Sequence, residues 1–385
     1  MQHTLRHWAA RCALALAAAL PLVCAAQGNS KGTITVAQAG PVGGAIGFYT
    51  QSIQQGMAAC FGWINSQGGV RGQRLELLLA DTPLDAQQTI AQYTRIARQY
   101  RPVAFVYPMS PTVIDGLLDA NLGAKLGIPI VGTVPQMYRR REPVNPYLFF
   151  VGVSDAREVE KIAEHIATVG MRRIAIVHWN DSTTTGLVEL IRETTRRLDV
   201  EIVGEYPVSP DGRADLGEAV GKLTKSGASA VVSLLAAHET ARLSSELRAV
   251  DNRMAVYGPS YNDASLIEQH ADKGSVHGIR ISQIVPNQDS PLLKIAIDFR
   301  KHFAERFPEA QANNHAFQGY IAARIIVQAL MRCPDPRSPA CLRAELENTR
   351  NHDLGGLLVN YSAKNHDGLS YVDIGMVSRS GKLLR

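Results

Sequence analysis

Short apolar runs alternate with longer segments of helical period along the first part of the chain. The pattern predicts strands at 34–36, 75–79, 103–106 and 128–131, separated by helices at 52–65, 86–100 and 112–126. A further apolar run at 147–151 reads as a strand that leads out of this unit. Strands that alternate with amphipathic helices are typical of βαβ units and a parallel sheet.

The same alternation then begins again. A helical stripe at 159–169 is followed by predicted strands at 174–177, 201–206, 230–234 and 254–257, with helices at 187–198, 216–223 and 241–250. The remainder differs, with helices at 292–307 and 316–331 and short strands at 357–360 and 372–377. Two similar units predict an α/β fold with two Rossmann-like lobes, and a ligand is expected in the cleft between them, at the carboxyl ends of the strands.

The N-terminus has the three-part layout of a secretory signal peptide. A basic start with His3, Arg6 and Arg11 precedes a run of Cys, Ala and Leu at 12–19, and small residues follow at 24–26. We expect residues 1–26 to be a signal peptide cleaved after Ala26, which places the protein in a periplasm. The alternative is a membrane anchor, for which the apolar run is short.

Composition, charge and the absence of catalytic motifs exclude several classes of protein. The 385 residues are 45% hydrophobic and 19% charged, which excludes a disordered chain or a coiled coil. The formal net charge of +5 is spread along the chain, whereas nucleic-acid binding needs a denser basic patch. No GxSxG or HExxH motif and no His/Cys cluster of metal spacing occurs, so neither an enzyme nor a metal or other cofactor is expected.

The cysteines outside the predicted signal peptide fall in two settings. Cys60 lies on the apolar face of a predicted helix and is expected in the core. Cys333 and Cys341 flank a Pro-rich loop, and in an oxidising compartment they are either joined by a disulfide or two buried thiols.

The residues that follow the predicted strands are the candidates for ligand contact. Ser110-Pro111 is a good N-cap and first-turn pair, so hydroxyls of Ser110 and Thr112 together with free helix amides would suit an anion. An ordinary capped helix explains the same residues. The glycine-rich loop at 40–47 follows the first strand; it lacks the spacing of a phosphate loop and is otherwise a flexible turn.

The second unit offers further candidates. Polar residues follow each of its strands, and each group has an ordinary structural explanation as a solvated loop, a helix cap or a hinge cover. The candidates are Thr184 and Thr185, His238 and Glu239, and Ser260 and Tyr261.

The segment 64–75 and the turn that follows it carry a family resemblance. These two stretches resemble a run found in the periplasmic solute-binding proteins of the leucine/isoleucine/valine-binding type. Their sequences are Ile-Asn-Ser-Gln-Gly-Gly-Val-Arg-Gly-Gln-Arg-Leu at 64–75 and Ala-Asp-Thr-Pro-Leu-Asp-Ala at 80–86. Ser-Pro-Thr at 110–112 and the stretch 371–382 are also similar to that family. The resemblance covers essentially all of the chain after the signal peptide.

The resemblance implies a type I periplasmic binding fold, with a multi-strand hinge and no chemistry. It divides the chain into a first lobe at 32–152 plus 285–357 and a second at 153–284 plus 358–385. It implies a monomer that closes on a small carboxylate or amino-acid-like ligand and is then read by the membrane permease of an ABC importer.

The resemblance also implies positions for the ligand contacts. Ser110 and Thr112 match residues that hold an α-carboxylate, and Thr133 or Gln136 replaces a second threonine. An acid that pairs with the α-ammonium follows a Gly-Pro in the family, but here Ser260 stands at that place. Because an unpaired buried ammonium is costly, we expect a carboxylate without the amine, unless Asp263 or Glu239 restores the charge.

Two other functions remain open from the sequence. The same fold would serve a ligand-sensing partner of a membrane receptor or kinase. A secreted hydrolase is the third alternative, and turnover of a bound ligand would reveal it.

Overall fold

The computed structural model describes residues 32–209, 213–250, 253–272, 274–379 and 382–384. The predicted signal peptide, residues 1–26, lies outside the described residues. None of the helices in the described part of the chain combines the length and apolar character that a membrane-spanning segment needs.

The first lobe is built on a five-stranded parallel sheet. Its strand order is β2-β1-β3-β4-β5, formed by β1 (Thr33–Gly40), β2 (Arg74–Asp81), β3 (Ala104–Val106), β4 (Ile130–Val131) and β5 (Leu148–Phe149). The helices that cover it are α1 (Gly44–Ser66), α2 (Ala86–Tyr100), α3 (Pro111–Asp119), α4 (Leu122–Leu126), α10 (Lys294–Arg306), α11 (Asn314–Arg332) and α12 (Pro339–Glu347).

The second lobe is built on a seven-stranded mixed sheet of order β14-β13-β10-β9-β8-β6-β7. Its strands are β6 (Arg173–Trp179), β7 (Glu201–Val208), β8 (Ala230–Leu234), β9 (Ala255–Gly258), β10 (Arg280–Gln283), β13 (Asp373–Val377) and β14 (Leu383–Leu384). Its helices are α5 (Asp155–Thr168), α6 (Ser182–Arg197), α7 (Arg213–Leu223), α8 (Ala237–Ala249) and α9 (Ala264–His270). The strands β6, β8 and β9 are buried on both faces, which explains their continuous apolar sequence.

The chain passes between the lobes three times: from β5 to α5, from β10 to α10, and ahead of β13. A two-stranded sheet, β11 (His352–Asp353) with β12 (Leu358–Val359), precedes the third passage. Between this small sheet and the passage, the amides of Gly368 and Leu369 donate to the carbonyls of Phe150 and Val151, at 3.0 and 2.9 Å. Residues up to 369 therefore pack beside β5, and the predicted end of the first lobe at 357 falls before this segment is complete. The rest of the predicted division remains a proposal.

The predicted helices and strands need three corrections. The helix predicted at 52–65 begins at Gly44, because the second half of the glycine-rich loop at 40–47 forms its first turn, where the Gly47 amide donates to the Gly43 carbonyl. The helix predicted at 112–126 is two helices, since Asn121 takes a left-handed conformation with φ 51°. The sequence pattern also missed the helices α9 and α12 and the short strands β10, β11 and β14.

The helices α1 and α11 cross in very close contact. A Cβ on Gly56 would lie 1.7 Å from the Ala316 carbonyl oxygen, and one on Gly319 would lie 2.2 Å from that of Ile53. Only glycine permits this approach. The crossing fixes the N-terminus of α11 beside α1, which becomes important for the contact between the lobes.

The structure describes all three cysteines outside the predicted signal peptide. Cys60 is fully buried, as expected from its place on the apolar face of α1. Cys333 and Cys341 are joined by a disulfide that links the end of α11 to α12.

Candidate ligand-binding site

A cavity of about 220 Å³ lies between the two lobes, at the carboxyl ends of β1, β3, β4, β6, β8 and β9. Its first-lobe wall is formed by Ile46, Tyr49, Met109, Ser110, Pro111, Val134 and Pro135. Its second-lobe wall is formed by Asp155, Trp179, Asp181, Thr183, Thr184, Leu187, Ala236 and Tyr261. This is the position at which open α/β sheets bind ligands. The volume suits a molecule smaller than a typical drug.

Ser110 is one of two hydroxyl residues in the first-lobe wall, the other being Tyr49. It caps α3, with its Oγ accepting a hydrogen bond from the Val113 amide at 3.3 Å, and its own amide donates to the Val134 carbonyl at 2.9 Å. The capping bond uses Oγ as an acceptor, so the hydroxyl proton is available to a ligand. The remaining wall is apolar, and Ile46 belongs to it because α1 begins earlier than predicted.

Asp155 is the buried acid of the second-lobe wall. Its Oδ1 accepts hydrogen bonds from the amides of Tyr138 at 2.8 Å and Ala156 at 2.9 Å, whereas its Oδ2 is buried without a partner. Burial raises the pKa of Asp155 to about 6, against the lowering effect of the Tyr138 amide and of Arg141. The described residues that line the cavity include no Lys, Arg or His. The carboxylate is therefore positioned to accept a hydrogen bond or a positive charge from a ligand.

A smaller chamber of about 10 Å³ lies beyond Tyr261, which lines both spaces. It is bordered by polar side chains, namely Thr133, Gln136, Glu158, Ser260, His315 and Gln318. A volume of this size corresponds to about one water molecule.

Glu158 is held in this chamber by Ser260 and Ser282. Its carboxylate accepts hydrogen bonds from the Ser260 amide at 2.7 Å, the Ser260 Oγ at 3.0 Å and the Ser282 Oγ. Burial raises the pKa of Glu158 to about 7, and the serine hydrogen bonds oppose that rise. Ser260 therefore anchors an acid that comes from α5.

The predicted site residues fall into three groups. Ser110, Thr184 and Tyr261 line the larger cavity, and Thr133, Gln136, Ser260 and again Tyr261 line the smaller chamber. Thr112, Thr185, His238 and Glu239 are not among the residues that line either space. Thr112 and Thr185 point to the surface, since both are exposed. Ligand contact by any of the ten stays a prediction.

The sequence offers two acids, Asp263 and Glu239, that could supply a charge in place of one at position 260. Glu239 contacts the exposed imidazole of its neighbour His238 at 3.2 Å. Asp263 is buried and contacts His315 at 3.1 Å. Neither lines the larger cavity, whose wall carries Asp155 and Asp181, and of these two acids Asp155 is the buried one.

Sequence reasoning missed Asp155, Glu158 and Trp179. One signal was present: two acids stand in the first turn of α5, directly after the chain leaves the first lobe. Within the described ranges, no three His, Cys, Asp or Glu side chains are grouped as a metal site.

Two α/β lobes that enclose a cavity at their strand ends define a ligand-binding protein of the two-lobed type. The chain matches the family described as periplasmic binding protein over residues 33–382. It belongs to that family, and its fold is the type I periplasmic binding fold of the leucine/isoleucine/valine-binding group.

Individual relatives are distant. An "Amino acid binding protein" of Pseudomonas aeruginosa is 24% identical over 218 residues, which is 56% of this chain and 57% of that protein. The crystal structure of an extracellular ligand-binding receptor from Verminephrobacter eiseniae superposes with a TM-score of 0.85 at 26% identity, covering 92% of this chain and 100% of the other. The branched-chain amino acid transporter substrate-binding protein LivJ of Streptococcus pneumoniae, solved with isoleucine, gives 0.79 at 16% identity, covering 91% and 97%.

Proposed function

We propose that this protein is the extracytoplasmic solute-binding subunit of an ABC importer. Residues 1–26 direct it to the periplasm, where it acts as a monomer and delivers its ligand to a membrane permease. Membership of the family and the interlobe cavity support this role. The LivJ structure is that of a transporter's binding protein with the same fold.

The ligand is a small amino-acid-like compound with an apolar body and a protonated amine. The observation that carries this choice is the buried, unpartnered Oδ2 of Asp155, a residue that lines a cavity without a basic side chain. An amine would pair with Asp155, and a carboxylate would meet Ser110 and the amino end of α3. The apolar body would lie against Ile46, Met109 and Trp179.

This proposal replaces the expectation of a carboxylate without an amine. That expectation depended on the missing acid at position 260. A ligand with only a negative charge would be placed beside the buried Asp155 without a compensating cation on the wall, which is unfavourable.

Closure of the two lobes accompanies binding. The three interlobe segments allow the lobes to rotate as rigid bodies, and a ligand that contacts Ser110 and Asp155 together binds only when both walls are near.

A thermal-shift screen of matched ligand pairs tests the ligand class. Protein refolded after removal of co-purified ligand would be offered leucine with 4-methyl-2-oxopentanoate, and phenylalanine with phenylpyruvate. A ligand that binds only the folded state raises the melting temperature. We expect at least one amino acid to stabilise and its keto acid not to do so. Stabilisation by the keto acids alone would contradict the role of Asp155.

The transport role needs a separate test in cells. Deletion of the gene should abolish high-affinity uptake of the stabilising amino acid, and plasmid-borne protein should restore it. Unchanged uptake together with a lost transcriptional response to the same compound would favour the sensing alternative.

A further inference from the structure

A buried imidazole–carboxylate contact crosses between the lobes next to the ligand cavity. Asp263 lies between β9 and α9 in the second lobe, and His315 lies in the first turn of α11 in the first lobe. His315 Nδ1 is 3.1 Å from Asp263 Oδ2, and the two side chains are 1% and 3% exposed. Moving the lobes apart at this point would break the contact.

Two tyrosines connect this contact to the cavity wall. The ring of Tyr49 packs edge-on against His315, with centroids 4.8 Å apart. The Tyr49 hydroxyl donates a hydrogen bond to the Tyr261 carbonyl at 2.9 Å, again between the lobes. Both tyrosines line the cavity, so the contact that joins the lobes also sets the position of two wall residues.

The two oxygens of Asp263 have separate tasks. Oδ1 caps α9 by accepting from the amides of Ser265 at 2.9 Å and Leu266 at 3.3 Å, which leaves Oδ2 for the imidazole. Burial alone would raise the pKa of Asp263, but His315 and Ser265 lower it, and the net direction is below its usual value. A carboxylate held ionised in a buried interface needs hydrogen-bond partners, and one of these partners, the imidazole of His315, comes from the opposite lobe.

The pair is suited to resist opening. Parting the lobes at this point would break the Tyr49 hydrogen bond and, at the residue before His315, the 2.7 Å bond from Asn314 Nδ2 to Gln283 Oε1. The close crossing of α1 with α11 leaves His315 little freedom to follow Asp263 as the second lobe moves away.

We propose that Asp263 and His315 form a latch that populates the closed state before ligand binds, with Tyr261 already placed against the cavity. The latch rests on the closing motion of the proposed function. A protein whose binding-competent state is already populated loses less affinity to conformational change, so the latch would strengthen binding.

Distance measurement without any ligand tests the latch. Spin labels on Q87C of α2 and E193C of α6, both exposed positions, report the separation of the lobes in protein lacking residues 1–26. Cys60 is buried and the remaining two cysteines are paired, so labelling is confined to the new sites.

We expect His315→Gln to lower the closed population about tenfold or more. In the closed state the buried Asp263 carboxylate would lack its imidazole partner, whereas in an open state water would solvate it. The double variant D263N/H315Q should recover part of that loss, since no unpaired charge remains and asparagine can still cap α9. His238→Gln is the matched control, because its imidazole contacts Glu239 within one lobe, and it should leave the distances unchanged.

Identical distance distributions for the native protein and His315→Gln would overturn the latch. If His315→Gln does not fold, Tyr49→Phe removes an interlobe hydrogen bond without leaving a charge, and it should shift the distances in the same direction by less; no shift would again overturn the latch. Failure of the proposed function looks different: the distances would respond to His315→Gln, while neither leucine nor phenylalanine would shorten them.

Discussion

The two walls of the cavity differ in charge although both are built from the same kind of α/β lobe. The first-lobe wall offers the hydroxyls of Ser110 and Tyr49 among apolar groups and contains no carboxylate. The second-lobe wall carries the carboxylates of Asp155 and Asp181. The first lobe therefore provides shape and hydrogen-bond donors, and the second provides negative charge.

This difference comes from how each lobe begins its helices at the strand ends. In the first lobe, glycine- and proline-containing turns lead into α1 and α3, and the caps are Gly43 and Ser110. In the second lobe, α6 and α9 are capped by Asp181 and Asp263, and Asp155 opens α5 behind its cap Ser154. Acids at helix N-termini are favoured by the helix dipole, and here they also determine the charge of the cavity.

The largest expected effect is the loss of this charge in Asp155→Asn. The substitution keeps an oxygen for the amides of Tyr138 and Ala156 but removes the negative charge that would face the ligand amine. Breaking one side of a buried ion pair costs about 3 kcal/mol or more, so the affinity for the stabilising amino acid should fall about 100-fold or more. Titration calorimetry with leucine, or with phenylalanine if it is the better ligand, measures this change.

Asp181→Asn is the control on the same wall. Asp181 is exposed and caps α6 through hydrogen bonds from the amides of Thr183 and Thr184, which asparagine retains. Its affinity should change by less than about threefold, because an exposed charge is screened by solvent. Equal losses in the two variants would mean that the wall acts through its overall charge and not through Asp155.

A smaller effect is expected on stability when the second buried acid is neutralised. The pKa of Glu158 is raised from 4.5 to about 7, so the folded protein holds a proton that the unfolded chain releases. Stability conferred by the protonated form is present below pH 4.5 and is lost as pH rises through about 7. Glu158→Gln keeps the partners Ser260 and Ser282 and should raise the unfolding free energy at about pH 8 by up to about 3 kcal/mol, with little change at about pH 4.

Urea unfolding at several pH values measures this difference. Glu160→Gln on the same helix is the control, because Glu160 pairs with Arg157 near the surface and a surface pair contributes little. A pH dependence that is the same in Glu158→Gln as in the native protein would show that this carboxyl does not carry the proton.

The sequence was a good guide to the parts of the molecule that depend on local pattern. The alternation of apolar runs predicted both sheets, and the Ser110-Pro111 pair predicted the cap of α3 that reaches the cavity. The prediction of a loop at 40–47 was wrong for residues 44–47, because glycines that suit a loop are also compatible with the first turn of a helix.

The acids of the site were missed because their importance depends on distant parts of the chain. Asp155 becomes a wall residue only when the segment after β5 brings α5 to the cleft and the Tyr138 amide binds its Oδ1. Glu158 meets Ser260 across 102 positions of sequence and Ser282 across 124. The identity of the residue at position 260 alone therefore could not predict the charge of the cavity wall.

The smallest expected effect concerns the first lobe, where the sequence predicts ligand contact by the hydroxyls of both Ser110 and Thr112. Ser110→Ala removes the α3 cap and the donor facing the cavity, so the unfolding free energy should fall by about 1 kcal/mol and the affinity for leucine, or phenylalanine, by about fivefold. Thr112→Val, two residues along the same helix, should change neither quantity measurably, since Thr112 is exposed and does not line the cavity. Calorimetry and urea unfolding on both variants give the comparison. If Thr112→Val weakens binding as much as Ser110→Ala, the ligand carboxylate lies over the outer turn of α3, and the first lobe contributes more polar contact than its wall indicates.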